Sequence, residues 1–251
     1  MSARPRILCT NDDGIHASGL RLLARVAAKI GEVELVAPDR QQSASSHSLT
    51  LHRPLRATPT GEREYVIDGT PTDCVLLAVN QLLDEPPDFV FSGVNHGPNM
   101  GEDVLYSGTV AAAMEGTIFG IRSVAVSFAS SNDAHLPGYD GILADLLGSL
   151  VERDDFPPET CFNINLPDCS AEDVQGVQVT SLGRRVYADS LVRREDPAGR
   201  DYFWIGGGVM SWSGSDDSDF QAVDNGFVSV TPLHLDLTNH GLLRQVRSWN
   251  L

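Results

Sequence analysis

The residues with the clearest chemical potential are Asn11-Asp12-Asp13-Gly14, where a short apolar run, Ile7–Thr10, stops and turns. Open α/β sheets bind ligands at the carboxyl ends of their strands. Two adjacent carboxylates in that position repel each other and resist burial unless something cationic offsets them. A divalent cation would do so, because hard cations take oxygen ligands from carboxylates and amides. A single Asp at this point would be an ordinary helix cap. Three consecutive polar residues of this type ask for more than a cap.

Three further stretches carry candidate ligands. Pro38-Asp39-Arg40-Gln41-Gln42-Ser43-Ala44-Ser45-Ser46-His47-Ser48 leaves the second strand, and makes Ser43 a candidate oxygen ligand or phosphate contact. Serine-rich loops are often no more than flexible; proximity to the Asp pair is what distinguishes this one. Ser92-Gly93-Val94-Asn95-His96-Gly97-Pro98-Asn99-Met100-Gly101 follows a short apolar strand. Its density of Gly, Asn and Pro predicts that neither strand nor helix continues through it. Asn95 offers an amide oxygen to a metal, while Asn99 and exposed backbone N–H groups offer donors to an anion. Finally, Ser107-Gly108-Thr109 precedes a helix over Val110–Ile118. Free first-turn N–H groups, the helix dipole and two hydroxyls make a phosphate cradle, a role compatible with simple N-capping. His47 and His96 fall within these loops and read as supporting or surface residues.

The elements that must position these groups follow from periodicity. Ile7–Thr10 reads as a strand, Gly19–Ile30 as an amphipathic helix and Val33–Ala37 as a second strand, a βαβ unit with parallel strands. No GxGxxG follows the first strand, which disfavours a dinucleotide cofactor. Leu49–Ala57 and Tyr65–Ile67 read as an antiparallel pair joined by a polar connection, and Cys74–Leu83 as a helix capped by Thr70 or Thr72. Asp88–Phe91, Ser123–Phe128 and Cys161–Asn165 read as strands, and Tyr139–Val151 as a helix. Beyond these, Val177–Leu182, Val186–Asp189 and Tyr202–Ile205 have the pattern of hairpin strands. Gly226–Leu233 carries another strand, and a short helix closes the chain near Leu242–Ser248. The expected division is a catalytic core over 1–175 and a β-rich hairpin and oligomerisation segment over 176–251. Exposed hairpins of this kind build oligomer contacts or swap between subunits.

The totals limit the function classes. A net charge of −16 opposes binding to a nucleic-acid polymer, which depends on neutralising phosphates with Lys and Arg. No apolar run approaches the ~20 residues of a membrane span. The N-terminal apolar stretch is too short for a signal-peptide core, so the expected location is cytoplasmic. Cys9, Cys74, Cys161 and Cys169 form no CxxC pair and read as reduced thiols.

Taken in order, Thr10-Asn11-Asp12-Asp13-Gly14-Ile15, the Ala37–Ser48 segment and the block from Ser92 to Val110 resemble the survival protein SurE family of metal-dependent nucleotidases. Asp68-Gly69-Thr70-Pro71, Phe162–Pro167 and Val228–Leu233 extend the resemblance over nearly the whole chain. It implies a Rossmann-like three-layer α/β sandwich with a mostly parallel sheet and a β-rich C-terminal extension used in oligomer contacts. It implies one divalent metal ion per subunit, held by Asp12, Asp13, Ser43 and Asn95, with Asp12 and Asp13 as the catalytic residues. Mg²⁺ or Mn²⁺ suits such thiol-free oxygen ligands better than Zn²⁺. Asn99, Ser107, Gly108 and Thr109 become phosphate contacts. The implied activity is hydrolysis of nucleoside 5′- and 3′-monophosphates, extending in some members to short polyphosphate. The implied assembly is a homodimer or homotetramer formed by C-terminal exchange. Asp236 and His240 match an acid–histidine pair of the family's C-terminal segment, although their i, i+4 spacing also suits a local ion pair. The competing readings are a non-catalytic nucleotide or phosphate sensor on the same cleft, and a nucleoside-hydrolase or glycosyl-transfer activity.

Overall fold

A computed structural model of the chain describes residues 4–130, 132–187, 191–205 and 210–249. The strands are β1 (Arg6–Thr10), β2 (Glu32–Pro38), β3 (Ala57–Gly61), β4 (Glu64–Ile67), β5 (Phe89–His96), β6 (Arg122–Phe128), β7 (Thr160–Leu166), β8 (Val177–Val179), β9 (Arg184–Tyr187), β10 (Leu191–Glu195), β11 (Asp201–Ile205), β12 (Met210–Ser213) and β13 (Val228–His234). The α-helices are α1 (Ser18–Ile30), α2 (Pro71–Leu77), α3 (Gly108–Ile118), α4 (Asp140–Val151), α5 (Asp219–Asp224) and α6 (His240–Arg247).

Among the described residues nine strands form one sheet in the order β3-β4-β2-β1-β5-β6-β7-β13-β8. The run from β4 to β7 is parallel throughout, as the βαβ opening requires. Strands β3 and β13 pair antiparallel with β4 and β7. Both faces of the parallel run are covered. On one side α1 buries Leu20, Leu22, Leu23 and Val26 in a cluster that includes Leu143 and Leu147 of α4. On the other, Cys74 and Val75 of α2 and Ala112 of α3 pack on Leu8, Val36 and Val90. The result is the expected three-layer α/β sandwich with a mostly parallel sheet. Residues 176–251 supply β8 and β13 to the main sheet as well as two ribbons, β9 with β12 and β10 with β11.

Several element boundaries differ from the sequence reading. Leu49–Arg56 forms no strand. Its backbone is held by side chains instead, Thr50 N donating to Asp73 and Arg56 N to Asp68, and the antiparallel pair is β3 with β4. Strand β5 runs on through Ser92–His96, where no strand was expected. Gly93 takes φ of +136°, and the register with β6 shifts between Ser92 and Asn95. Helix α2 begins at Pro71, fixed by a reciprocal box in which Thr70 accepts from Asp73 N at 3.1 Å and Asp73 accepts from Thr70 N at 2.9 Å. The predicted strand over Val177–Leu182 is limited to β8. The predicted Val186–Asp189 strand falls within β9 only to Tyr187, and Asp189 lies outside the described residues. Cys9, Cys74 and Cys161 are buried free thiols, and Cys169 is half-buried. Among the described residues no helix is long and apolar enough to cross a membrane.

Candidate functional site

The carboxyl ends of β1, β2 and β5 meet on one rim of the sheet, and the N-terminus of α3 closes against it. The turn after β1 is shaped by Asn11, whose buried amide accepts from Gly14 N at 3.2 Å and donates to Gly14 O at 3.1 Å. That closes the turn locally and leaves the Asp12 and Asp13 side chains to face other elements. The loop after β2 is tied to the same turn, with Gln42 N donating to Asp12 O at 2.7 Å. This brings the Ser43 segment alongside the aspartates. From β5, His96 N donates to Asp13 Oδ2 at 3.3 Å, and Gln41 Nε2 approaches Asp13 Oδ1 at 3.4 Å.

Asp12 is almost completely buried against α3. Thr109 Oγ1 donates to Asp12 Oδ1, and a Cβ added to Gly108 would lie 2.7 Å from Ser45 Oγ and 2.8 Å from Asp12 Cβ. Only a residue without a side chain allows this approach. Ser45 Oγ is buried, with no hydrogen-bond partner among the described residues. Ser107 caps α3 by accepting from Val110 N at 3.1 Å. The Gly108 and Thr109 amides belong to the first turn, where the helix itself supplies no acceptor.

Electrostatically both carboxylates bear a cost of desolvation. Burial pushes the Asp12 carboxyl up to about 6, against the lowering effect of its Thr109 hydrogen bond, and Asp13 adds to the rise. Asp13 is also raised, mainly by burial, with His96 acting to lower it and Asp133 to raise it. No Arg or Lys among the described residues contributes to offsetting either one. The arrangement therefore suits a cation. The Nδ2 of Asn95 donates to Gly97 O at 2.8 Å, so the amide oxygen is the end of this side chain that could serve as a ligand. Among the described residues no group of three or more His, Cys, Asp or Glu is placed to hold a metal. The proposed ligands instead combine two carboxylates with a hydroxyl and an amide, hard oxygen donors that fit Mg²⁺ or Mn²⁺.

Of the predicted phosphate contacts, Asn99 is the most constrained. Its N–H donates to Asn165 Oδ1 at 2.9 Å, its carbonyl accepts from Asn163 Nδ2 at 2.8 Å and Asn165 Nδ2 at 3.0 Å, and its own Nδ2 donates to Ser127 Oγ at 2.8 Å. Asn163 and Asn165 are two residues apart on β7 and so share one face, a spacing that could have marked them in the sequence. The Thr109 hydroxyl is committed to Asp12, and its backbone N–H also acts on that carboxylate, so an incoming anion competes with Asp12 for it. Ser45 and Asp219 escaped the sequence reading, and Asn11, part of the Asn-Asp-Asp turn there, serves to brace that turn. Asp219 accepts from Gly101 N at 2.8 Å and from Gly183 N and Phe220 N at 2.9 Å, anchoring the far end of the Asn95–Gly101 segment. The His96 ring pairs with Asp133 at 2.6 Å, and His47 with Glu115 at 2.7 Å. His240 and Asp236 form a local, exposed pair.

The family model described as Survival protein SurE matches residues 7–189. A 5′-nucleotidase SurE of Gemmatimonas aurantiaca is 56% identical over 247 residues, covering 97% of this chain and 98% of that protein. Its counterpart from Geotalea uraniireducens is 47% identical over 98% of this chain and 99% of its own length. Among solved structures, a SurE protein from Aquifex aeolicus superposes with a TM-score of 0.86 at 37% identity, covering 97% of this chain and 98% of that one.

Proposed function

This chain belongs to the survival protein SurE family, and from that premise we propose that it is a 5′-nucleotidase, a divalent-metal-dependent phosphomonoesterase acting on nucleoside monophosphates. The observation that carries the reading is the adjacent pair of a buried Asp12 and a half-buried Asp13, both raised by desolvation and set against the N-terminus of α3. A phosphate sensor gains nothing from two such charges beside its anion. Asp12, Asp13, Ser43 and Asn95 would hold the cation. A bound Mg²⁺ or Mn²⁺ would supply Lewis-acid polarisation of the phosphoryl oxygens and lower the pKa of a nearby water.

The rest is done by the chain itself. The Gly108 and Thr109 amides receive the phosphate oxygens, with the helix dipole favouring negative charge there. The Ser107 hydroxyl accepts from Val110 N and keeps its own proton for an anion. Asn99, pinned by Asn163 and Asn165, holds the loop that faces the phosphate. Asp12, steadied by Thr109, takes the proton of the attacking water, and Asp13 serves mainly as a ligand. Phosphoryl transfer depends chiefly on such positioning and charge stabilisation. The finer reading includes 3′-monophosphates and short polyphosphate as substrates, a cytoplasmic location and a core over 1–175. It also includes assembly of two or four copies through the segment 176–251, where β11 exposes Phe203, Trp204 and Ile205.

The test is phosphate release from AMP with Mn²⁺, with Mg²⁺ and with EDTA, for wild type and Asp13→Asn. Turnover that needs a metal and collapses in the folded variant supports the proposal. Tight AMP binding without turnover would favour the sensor, and free adenine with ribose phosphate would favour a nucleoside-hydrolase chemistry.

A further inference from the structure

A cavity of about 690 Å³ opens on the same rim of the sheet, two strands along from the aspartates. Its walls come from Gly97, Pro98 and Met100 after β5, from Asp168 after β7, and from Trp212 and Asp224 of the C-terminal segment. Gly97 and Pro98 lie between Asn95, the proposed metal ligand, and Asn99, the proposed phosphate contact. The cavity and the phosphate site are therefore two ends of one loop. With strands about 4.8 Å apart, the β6–β7 end of the rim lies ~10 Å from the β1–β5 end. That is a separation an extended mononucleotide can bridge.

The lining indicates which part of a substrate enters. Trp212 sits on β12, and its ring stacks on Phe220 with centroids 5.5 Å apart and planes 18° from parallel. Phe220 is in turn held beside Asp219, which binds the amide of Gly101 at the end of the loop. The indole is thus braced against the same loop that leads to the phosphate site. Asp168 and Asp224 add acceptors, and among the described residues no Lys or Arg lines the cavity. These walls disfavour a second phosphate and suit an uncharged group with a flat aromatic face and N–H or O–H donors. Resting on the nucleotidase reading above, we propose that this cavity is the nucleoside subsite. Trp212 stacks on the base and Asp168 or Asp224 accepts from base amino or ribose hydroxyl groups.

The experiment compares AMP with glycerol phosphate, which carries the same ester and no base, across wild type, Trp212→Ala and Trp212→Phe. Base–aromatic stacking is strong enough that Trp212→Ala should lower the ratio of kcat/KM for AMP to that for glycerol phosphate by about tenfold or more. Trp212→Phe should recover most of that ratio. In wild type, adenosine should inhibit glycerol phosphate hydrolysis competitively, and ribose at the same concentration should not. An unchanged ratio in Trp212→Ala, or wild type indifferent to adenosine, overturns the subsite. Should wild type release phosphate from neither ester, the nucleotidase reading fails separately. Calorimetric binding of adenosine to wild type but not to Trp212→Ala would then still uphold the subsite, and no binding to wild type would overturn it too.

Discussion

Replacing Asp12 with Asn should make the metal-free protein more stable while abolishing its turnover. The carboxyl stands at about 6 in the folded chain against 3.8 for an ordinary Asp. A group that holds its proton more tightly when folded contributes full stability below its unfolded pKa and loses it as pH rises through the folded one. For Asp12 that loss falls between about pH 4 and pH 6, the two values just given. Two pKa units correspond to ~3 kcal/mol, an order-of-magnitude figure for the cost of keeping this side chain ionised at pH 7.5 without a cation. Asn has nearly the same shape and keeps an oxygen for the Thr109 hydroxyl, so Asp12→Asn should recover most of that sum. For a chain of this size the gain amounts to roughly 6–12 °C in Tm. Wild type should recover comparable stability from Mn²⁺, about 2.7 kcal/mol at a hundred times its Kd. The variant should gain little. The assay is urea or thermal unfolding at pH 7.5 in EDTA and in Mn²⁺, repeated at pH 4.5, where the gap between the two proteins in EDTA should narrow to about 1 kcal/mol. An Asp12→Asn protein less stable than wild type in EDTA, or equally stabilised by Mn²⁺, would refute the reasoning.

Other substitutions probe the parts around this pair. Gly108→Ala drives a methyl into Ser45 Oγ and Asp12 Cβ, at 2.7 and 2.8 Å, and should cost at least tenfold in kcat/KM for AMP; circular dichroism would separate that loss from unfolding. Asn11→Ala removes both bonds to Gly14 and should weaken Mn²⁺ binding measured by calorimetry, even though Asn11 is not itself a proposed ligand. Asp219→Ala strands three buried amides and should destabilise by about 2–4 kcal/mol in urea titration. Ser107→Ala should weaken phosphate handling by ~1–2 kcal/mol, seen as a raised inhibition constant for inorganic phosphate.

Much of this site could be read before folding because its pieces are punctuation. Strand ends that pass abruptly into Asn-Asp-Asp-Gly, a serine-rich loop, or a Gly-Asn cluster stand out locally, and a parallel sheet puts all such ends on one rim. The partners across the rim were not legible. The hydroxyl of Thr109 reads as a phosphate contact from its place at a helix start, yet it is claimed by Asp12, 97 residues away in sequence. The strand reading of Leu49–Ala57 failed because alternation says nothing about whether a neighbouring strand edge is free. Side chains of Asp68 and Asp73 serve that backbone instead. Gly and Asn suggested that β5 must stop at Phe91, but Gly93 at φ of +136° and a shift in register let it continue to His96. That extension carries Asn95 to the last position of the strand before His96, whose N–H donates to Asp13. Trp212 gave no local sign of a role, since its position depends on Phe220 and on a ribbon closed by β9.

The central claim is that oxygens from Asp12, Asp13, Ser43 and Asn95 share one divalent cation. It is tested most directly by anomalous scattering from a crystal grown with Mn²⁺. The account predicts a single manganese peak per subunit, about 2.0–2.6 Å from a side-chain oxygen of each of the four residues. A peak bound elsewhere, with phosphate release still dependent on Mn²⁺, would contradict it.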